Sequence, residues 1–286
     1  MDIGIGLPNT IPGAEGRTLI DWARRAEKRG FSALATIDRI VYPNYDSLIA
    51  LAAAAAVTER IRLLTNVLLG PTRNPVLLAK EAASVDQISG GRFTLGVAVG
   101  ARADDFEAAG QEFKNRGRRW DEALKLLHRA WQGEPVAGSP KPVTPKPVRP
   151  GGVPLLIGGT SDEAIERMVR WGIGWTSGGG GPERAGAFAD RVRQAWKDAG
   201  RSGTPRIVAL NYYALGDSPE VAQGGYLRDY YGAAPWVDQL LQSLPRTPAA
   251  LREIVKRFAD VGVDELLFDP TIADLAQVNL LADAVL

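Results

Sequence analysis

The chain has 286 residues, of which 45% are hydrophobic and 23% charged, proportions typical of a globular protein with a large buried core. The 34 Lys and Arg residues nearly balance the 33 Asp and Glu residues, which argues against a broad basic surface for nucleic acid. Cysteine is absent, which excludes disulfides, thiolate catalysis and cysteine-ligated metals, and no apolar run is long enough to span a membrane. We therefore expect a soluble, cytoplasmic protein.

Strand-like apolar runs alternate with helix-like segments through the first half of the chain. The predicted strands are Ile3–Leu7, Ala33–Ile37, Ile61–Val67 and Phe93–Val99. The helices that follow them in turn are one capped by Thr18 and ended by Gly30, one that starts at Asp46, one from Pro75 to Ile88 capped by Asn74, and one at Arg118–Trp131.

A proline-rich stretch, Glu134–Gly152, interrupts this alternation. Its six prolines forbid regular structure, and we interpret it as an extended surface connection rather than a domain boundary. The alternation then resumes, with predicted strands at Leu155–Ile157, Gly174–Thr176, Ile207–Leu215 and Glu265–Phe268. The helices that follow them in turn are predicted from Ser161 to Trp171, at Glu183–Ala199, from Thr247-Pro248 to Val261 and at Ile272–Val285.

Eight strands that alternate with helices predict an α/β fold, the (β/α)8 TIM barrel with insertions, formed by a single domain over residues 1–286. A doubly wound open sheet is the alternative. That fold would need fewer strands, and it usually carries a glycine fingerprint after the first strand, where this chain has GLPNT.

The active site of such a barrel lies at the carboxyl ends of the strands, and glycine is abundant there. Gly158, Gly159, Thr160 and Ser161 lead into a helix N-terminus, which favours a phosphate, although a plain turn capped by Ser161 is an equal alternative. Gly178–Gly181 is a second glycine run, or only a flexible loop. Together the runs suggest a cofactor that lies on backbone and carries the difficult chemistry. No metal site is expected, because the lone histidine, His128, falls in the middle of a helix.

Two further features are candidates for the chemistry or the substrate. Asp38 follows the second strand, either as a buried carboxylate at the barrel mouth or in a salt bridge to Arg39 or a neighbouring loop. Aromatic residues crowd the long connection after the seventh strand, which suits a substrate pocket or lid, with ordinary core packing as the alternative. They are Tyr212, Tyr213, Tyr226, Tyr230, Tyr231 and Trp236. The glycines expected to act as hinges for such a lid are Gly216, Gly224, Gly225 and Gly232.

Four segments together resemble the bacterial luciferase-like oxidoreductases, and the likeness covers nearly the whole chain. The segments are RIRLLTNVLLGPTRNPVLLAKEAASVDQISGGRFTLGVAVG (Arg60–Gly100), GFSALATIDR (Gly30–Arg39), FKNRGRRWDEALKLLHRAW (Phe113–Trp131) and PLLIGGTSDEAIERMVRWGIGW (Pro154–Trp175). The resemblance implies a (β/α)8 barrel with insertions that is usually dimeric and that uses either FMN or the deazaflavin F420.

The resemblance also implies roles for individual residues. Asn66 and Val67 match a bulge in the third strand with a cis peptide bond that backs the isoalloxazine ring. Asp38 matches an acid near the ring and, with Arg39, is a catalytic candidate. The positions that match contacts to the ring, phosphate or tail are Gly100, Asp104, Gly158, Gly159, Thr160 and Ser161. The candidate substrate-binding residues are Tyr213, Tyr226, Tyr230 and Trp236.

The departures from known members favour F420 over FMN. Val99 replaces the arginine that grips the FMN phosphate in luciferase, and Ala98 replaces a cysteine. Arg39 and Ala101 replace the histidine and glutamate of the F420-dependent sugar-phosphate dehydrogenase, which argues against that substrate. We therefore expect F420-dependent hydride transfer to or from a small organic substrate. The alternatives are an FMNH₂-dependent monooxygenase and a flavin-binding barrel without catalysis.

The resemblance also predicts a homodimer. The nearly continuous alanines of Ala50–Ala56 allow close approach of backbones, and the family usually dimerises through nearby helices. We expect this helix and the one from Pro75 to Ile88 to form the interface.

Overall fold

Parallel strands close into a barrel that is surrounded by helices. The computed structural model describes residues 1–136, 138, 140–232 and 235–286. The strands are β1 Asp2–Gly6, β2 Ala33–Thr36, β3 Arg62–Thr65, β4 Leu68–Leu69, β5 Phe93–Ala98, β6 Leu155–Gly158, β7 Gly174–Ser177, β8 Arg206–Tyr213 and β9 Glu265–Pro270. Their order is β3-β2-β1-β9-β8-β7-β6-β5-β4, and pairing of β3 with β5 closes the sheet. Since β3 and β4 are two parts of one barrel strand, the barrel has eight strands, which confirms the predicted fold class.

Twelve α-helices and one short 3-10 helix, Gly70–Thr72, lie within the described residues. The α-helices are α1 Gly16–Arg29, α2 Ser47–Ala55, α3 Pro75–Ile88, α4 Ala103–Ala108, α5 Arg116–Gln132, α6 Asp162–Trp171, α7 Gly181–Asp198, α8 Pro219–Gln223, α9 Leu227–Tyr231, α10 Pro235–Gln242, α11 Pro248–Asp260 and α12 Ala276–Val285. Three of them, α8 to α10, form an excursion between β8 and α11. None of the helices in the described part of the chain is long and apolar enough to cross a membrane.

The barrel interior is filled by small and branched side chains. The buried residues that form this interior cluster are Ala33, Ala35, Leu64, Leu156, Val208 and Leu267. Glycine occupies a position in the barrel strands where no side chain would fit. A Cβ on Gly96 would lie 2.0 Å from the carbonyl oxygen of Thr65. The alternate side chains of the same strands point outward and join the larger cluster beneath the helices. The interior is therefore a packed core, and open space is confined to the barrel ends.

Local capping signals predicted most helix starts correctly. The side chains of Asp46, Asn74, Ser161 and Thr247 each accept a hydrogen bond from a backbone N–H in the first turn of α2, α3, α6 and α11. The predicted Thr18 cap is wrong. The N–H of Thr18 donates to the carbonyl of Glu15 and Thr18 already lies inside α1, because the chain turns into the helix three residues earlier.

Several predicted boundaries also need correction. The third strand stops at Thr65 instead of running through Val67, because the chain bulges at Asn66 before β4 begins. The predicted strand Ile207–Leu215 ends at Tyr213, and the last helix begins at Ala276 rather than Ile272. Helix α4 and the excursion helices were not predicted, since segments of five to eight residues carry little periodic signal.

The proline-rich connection follows the outside of the barrel, as predicted. Its described residues contain no helix or strand, and several of its backbone groups bond to α3. Lys80 Nζ donates to the carbonyl of Thr144 at 2.6 Å, and the N–H of Val148 donates to Asp86 Oδ2 at 2.7 Å. Ala137 and Ser139 of this connection, and Ala233 and Ala234 of the predicted lid, lie outside the described residues.

Candidate active site

The carboxyl ends of β3, β6 and β7 surround a cavity of about 250 Å³, which we call the glycine-lined cavity. Its walls are Asn66, Val67, Gly158, Gly159, Thr160, Trp175, Thr176, Ser177, Gly178, Gly179 and Arg184. Five of the predicted cofactor residues are in this set. Because four of the eleven lining residues are glycines, part of the wall is backbone, which a flat ligand can approach closely.

The wall on the β3 side is the predicted bulge. The Asn66–Val67 peptide bond is cis, which confirms that part of the prediction. The side-chain oxygen of Asn66 accepts a hydrogen bond from the hydroxyl of Thr176, whereas its side-chain nitrogen is buried and has no partner among the described residues. Buried amide donors are rarely left unpaired in folded proteins, so this N–H₂ group is suited to a ligand acceptor.

The opposite wall is the β6–α6 turn. A Cβ on Gly158 would lie 3.1 Å from Val67 Cγ1, so glycine maintains the width of the cavity. Gly159 has a φ of +109°, and its carbonyl accepts a hydrogen bond from Trp175 Nε1 at 2.8 Å. Ser161 caps α6, and Thr160 and Ser161 are both exposed, so the first N–H groups of α6 face solvent beside the cavity. This turn can hold an anion.

A second glycine turn adds a cation to the same cavity. A Cβ on Gly178 or Gly179 would meet no atom within 4 Å, so the chain leaves open space there. Arg184, in the first turn of α7, is exposed and forms no ion pair within the described ranges. The combination of bare backbone, an unpaired amide, a helix N-terminus and an arginine fits a flat ring with a phosphorylated tail. Sequence reasoning did not single out Arg184.

Asp38 is held away from this cavity in a buried ion pair. Its carboxylate receives two hydrogen bonds from the Arg73 guanidinium, at 2.7 and 3.2 Å, and a third from the backbone N–H of Leu69 at 2.9 Å. Burial raises the pKa of Asp38, and the charge of Arg73 opposes that shift. Of the alternatives raised from the sequence, the structure matches the salt bridge to a neighbouring loop. The partner is Arg73 rather than Arg39.

Arg39 is also fully engaged. Its Nε donates to Asp105 Oδ2 at 2.7 Å, and its Nη2 donates to Asp104 Oδ2 at 3.1 Å. The same guanidinium lies 5.7 Å from the ring centre of Tyr230. Asp104 is half exposed and Asp105 is buried, so Arg39 fastens α4 to the loop after β2. Gly100 begins that region with a φ of +75° and accepts a hydrogen bond from Arg116 Nε at 2.9 Å.

The other half of the barrel mouth is covered by aromatic side chains from β8 and the excursion. We call Tyr212, Tyr226, Tyr230, Tyr231 and Trp236 the aromatic cluster. Most of its members pack with apolar residues of α8 to α10 into one buried group. Tyr226 accepts a hydrogen bond from Thr10 at 2.9 Å, and the Tyr230 ring packs edge-on against Tyr42 at 5.0 Å. Trp236 is 50% exposed and packs against Tyr231 at 4.8 Å.

Tyr213 is the exception among the predicted substrate residues. Strand side chains alternate, and Tyr213 points outward, where its hydroxyl donates to the carbonyl of Gln277 on α12 at 3.3 Å. Tyr212 points the other way, and its hydroxyl lies 2.8 Å from that of Tyr231. The predicted substrate residue Tyr213 therefore lies on the outer face of its strand, and its neighbour Tyr212 lies on the inner face. Every second residue of a strand faces the same side, and Val208 faces the interior, so Tyr212 is the tyrosine on the inner face.

Two of the four predicted hinge glycines are tightly packed. A Cβ on Gly225 would lie 1.8 Å from the carbonyl oxygen of Thr271, and one on Gly224 would lie 2.3 Å from a methyl of Leu241. Gly216 and Gly232 have open space around them. The turn between α8 and α9 is therefore packed against Thr271, just after β9, and of the four glycines only Gly216 and Gly232 have room for a change of conformation.

Sequence reasoning missed one buried acid. Asp269, near the end of β9, is 3% exposed, and its carboxyl has no hydrogen-bond or ion-pair partner in the described part of the chain. Burial raises the pKa of this carboxyl to about 8. The signal was present in the sequence: Asp269 shares strand parity with the interior residue Leu267 and ends an apolar run. No three His, Asp or Glu side chains of the described residues group as ligands for a metal ion.

Known proteins match both the sequence and this architecture. The family model for luciferase-like monooxygenases matches residues 1–266. An uncharacterised protein of Mycobacterium tuberculosis is 32% identical over 219 residues, which are 67% of this chain and 76% of that protein. Two solved structures share the fold, each with a TM-score of 0.80 over 99% of this chain and 98% of the other. They are monooxygenase RslO1 from Streptomyces bottropensis, at 23% identity, and an F420-dependent secondary alcohol dehydrogenase in complex with an F420-acetone adduct, at 16%.

The family match extends from the first strand into the last, so it includes every strand end that lines the glycine-lined cavity. It also includes the cis bulge and the whole of the aromatic excursion. Members of this family are oxidoreductases and monooxygenases that use F420 or FMN. The chain belongs to the luciferase-like monooxygenase family.

Proposed function

We propose that the protein is an F420-dependent oxidoreductase that transfers a hydride between the deazaflavin and a small organic substrate. The observation that carries this proposal is the glycine-lined cavity, where the cis bulge presents an unpaired amide opposite a backbone-lined anion site. When bound, F420 supplies a carbon that accepts or donates a hydride. Asn66 and Val67 would lie against its ring, and Gly158, Gly159, Thr160, Ser161 and Arg184 would hold its anionic tail.

The preference for F420 over FMN rests on the end of β5. Val99, at the position of the luciferase arginine, packs against the hydrophobic core. Gly100 and Asp104 follow it, and the Asp104 carboxylate is directed to Arg39. The cation that follows this strand end in the described chain, Arg102, is not at the position of the luciferase arginine, and it donates to the carbonyl of Tyr230 at 2.8 Å. An F420-dependent alcohol dehydrogenase with the same fold over nearly its full length supports the same choice.

An FMNH₂-dependent monooxygenase is the second candidate, and the fold shared with monooxygenase RslO1 favours it. Titration of the purified protein with F420 and with FMN, followed by cofactor fluorescence, separates the two. We expect F420 to bind at least tenfold more tightly, and its absorbance to change when a substrate is added. Tighter binding of FMN, with oxygen uptake after reduction, would replace our proposal with the monooxygenase. Binding of either cofactor without turnover across a broad substrate panel would favour a non-catalytic barrel.

We further propose that the active protein is a homodimer formed through α2 and α3. The alanines of α2 mainly pack inward or sideways, and the apolar side chains that reach solvent are different residues. Ile49 is 71% exposed, Leu77 53% and Ile88 56%, and all three line a groove between the two helices. Burial of such a patch against a second copy removes apolar surface from water.

Light scattering tests the dimer. We expect twice the 30.7 kDa mass of the chain at micromolar concentration, and a shift to the single-chain mass for Leu77→Asp. Leu280→Asp is a matched control, because Leu280 is a similarly exposed leucine on α12, on a different face of the barrel. A wild-type protein with the mass of one chain would contradict the dimer.

A further inference from the structure

Asp269 lies at the open end of the barrel and points toward its axis. It follows Leu267 by two residues on β9, and Leu267 belongs to the interior cluster, so both side chains are on the inner face. On the neighbouring strand β1, a Cβ at Gly6 would lie 1.7 Å from Asp269 Oδ1. The space for this carboxyl therefore depends on glycine at position 6.

Glu265 provides an internal comparison, because it lies on the same face of the same strand, four residues nearer the closed end. It is equally buried, but it accepts hydrogen bonds from Arg62 at 2.8 Å and from Ser32 at 2.5 Å, and it pairs with Arg206. Glu265 is thus a structural carboxylate. Asp269 has no such bond to any described residue, although desolvation of a carboxyl without a partner is costly.

The titratable groups that the charge of Asp269 affects are phenols. It raises the pKa of Tyr212 from β8 and of Tyr226 and Tyr231 from the excursion, and also that of Tyr213 on the outer face of β8. Burial, and next the charge of Asp269, raise the pKa of Tyr226 well above its ordinary value. No lysine, arginine, histidine or second carboxylate of the described residues contributes to the pKa of Asp269, which burial alone raises.

We propose that Asp269 is the catalytic acid–base of the substrate site, and that the substrate is an uncharged, largely apolar alcohol or the corresponding carbonyl compound. This inference rests on the proposed hydride transfer. With F420 bound to supply the hydride acceptor, the Asp269 carboxylate would take up the O–H proton as the alcohol carbon loses its hydride to the cofactor and the C=O bond forms. In the reverse direction, the protonated Asp269 carboxyl would give its proton to the carbonyl oxygen as the carbon gains the hydride.

The surroundings of Asp269 support both parts of the proposal. A carboxyl that gains and loses its proton near neutral pH is suited to both directions of this reaction. The aromatic cluster offers an apolar surface, and no cation of the described residues contributes to the pKa of Asp269. The two arginines at the cluster lie over the Tyr230 ring and are engaged elsewhere, Arg102 by the carbonyl of Tyr230 and Arg39 by Asp105. Neither Asp38 nor Arg39 competes for this role, because each is committed to an ion pair.

The test compares Asp269→Asn with the wild type, with cyclohexanol and F420 as probes. Asparagine keeps the shape but cannot take up the proton. We expect kcat to fall about 100-fold and its pH dependence between pH 6 and 10 to disappear, with F420 affinity within twofold of wild type. Asp217→Asn makes the same chemical change at an exposed site of the excursion, so its profile should match that of the wild type.

A second readout does not depend on turnover. Infrared difference spectra of the cofactor-free protein should show a protonated carboxyl at pH 6 that is lost by pH 10, that shifts when cyclohexanone is added, and that is absent in Asp269→Asn. A wild-type protein with no such band, or a variant that keeps the wild-type rate and pH profile, would overturn the assignment. If the wild type bound no F420 but showed this band and its shift, the cofactor proposal would fail and the role of Asp269 as a proton donor would stand.

Discussion

The two halves of the barrel mouth are lined by different types of residue. Along β3, β6 and β7 the strand ends carry mainly glycine and small polar residues, with Trp175 and Arg184 beside them. Along β8, β9 and the excursion, the mouth is covered by large aromatic side chains around one buried acid. Backbone amides suit a ligand with a fixed shape and charge, whereas side chains determine which substrate fits. We infer that cofactor binding and substrate choice are divided between the two halves.

The same contrast separates the two buried aspartates. Asp38 has a bidentate arginine partner, and Asp269 has neither a cation nor a hydrogen-bond donor among the described residues. A cation partner stabilises the charged form of a carboxylate. A carboxyl without a partner in an apolar site favours its neutral, protonated form.

The largest effect is expected for the pH dependence of stability in cofactor-free Asp269→Asn. The folded-state pKa of Asp269, about 8, lies above the ordinary value of 3.8, so the folded state binds this proton more tightly than the unfolded state. Ionisation then destabilises the fold as the pH rises from about 4 to about 8. Relative to the variant, the free energy of unfolding of the wild type should fall by about 1.4 kcal/mol per pH unit, or by roughly 4 kcal/mol between pH 4 and pH 7.

Urea unfolding of both proteins at pH 5, 6, 7 and 8 measures this difference. Below pH 4 the two should have a constant difference in the free energy of unfolding, because the carboxyl is then protonated in both states. A difference that stayed constant up to pH 8 would show that Asp269 is not a desolvated acid.

Asp38→Asn should lower the free energy of unfolding by about 3 kcal/mol, because it leaves the mostly buried Arg73 charge without its main partner. Asp46→Asn is the matched control. Asp46 also binds Arg73, but its side chain is 44% exposed and asparagine keeps the cap of α2, so the cost should stay below about 1 kcal/mol. F420 affinity of the folded Asp38→Asn protein should be unchanged. A specific loss of cofactor affinity would restore Asp38 as a cofactor residue.

Gly159→Asp should weaken cofactor binding about 100-fold, because a carboxylate at this turn opposes an anionic tail. The φ of +109° strains any side chain at this position, so Gly159→Asn is the appropriate comparison: it introduces the same strain without the charge. Cofactor titration of the two variants separates the electrostatic part of the loss in cofactor affinity from the part caused by backbone strain. Equal affinities for Asp and Asn would place the anionic tail elsewhere.

The smallest effect is expected for Trp236→Ala. Trp236 is half exposed at the edge of the aromatic cluster, so its loss should change the free energy of unfolding by about 1 kcal/mol or less. If it covers the substrate, KM should rise roughly tenfold while F420 affinity stays constant. Steady-state kinetics with cyclohexanol measures this ratio. Weakened binding of both ligands would indicate that the excursion supports the whole mouth rather than the substrate side alone.

Much of the fold was predictable because its signals are local. The alternation of strands and helices indicated the barrel, and Asp46, Asn74, Ser161 and Thr247 cap helices through atoms two or three residues away. The glycine runs likewise marked backbone turns at strand ends. The short excursion helices were missed because they are held by packing on the barrel and not by their own periodicity.

What the sequence by itself determined was therefore the barrel, its helix starts, the cis bulge by resemblance, and the half of the mouth that is built from backbone. Only the tertiary structure decided the state of each charge and the direction of each tyrosine. Asp38 meets Arg73 thirty-five positions along the chain, and Gly6 opens the space beside Asp269 from the other end of the sequence. A carboxylate is paired or alone according to residues distant in sequence, and folding alone brings those residues together.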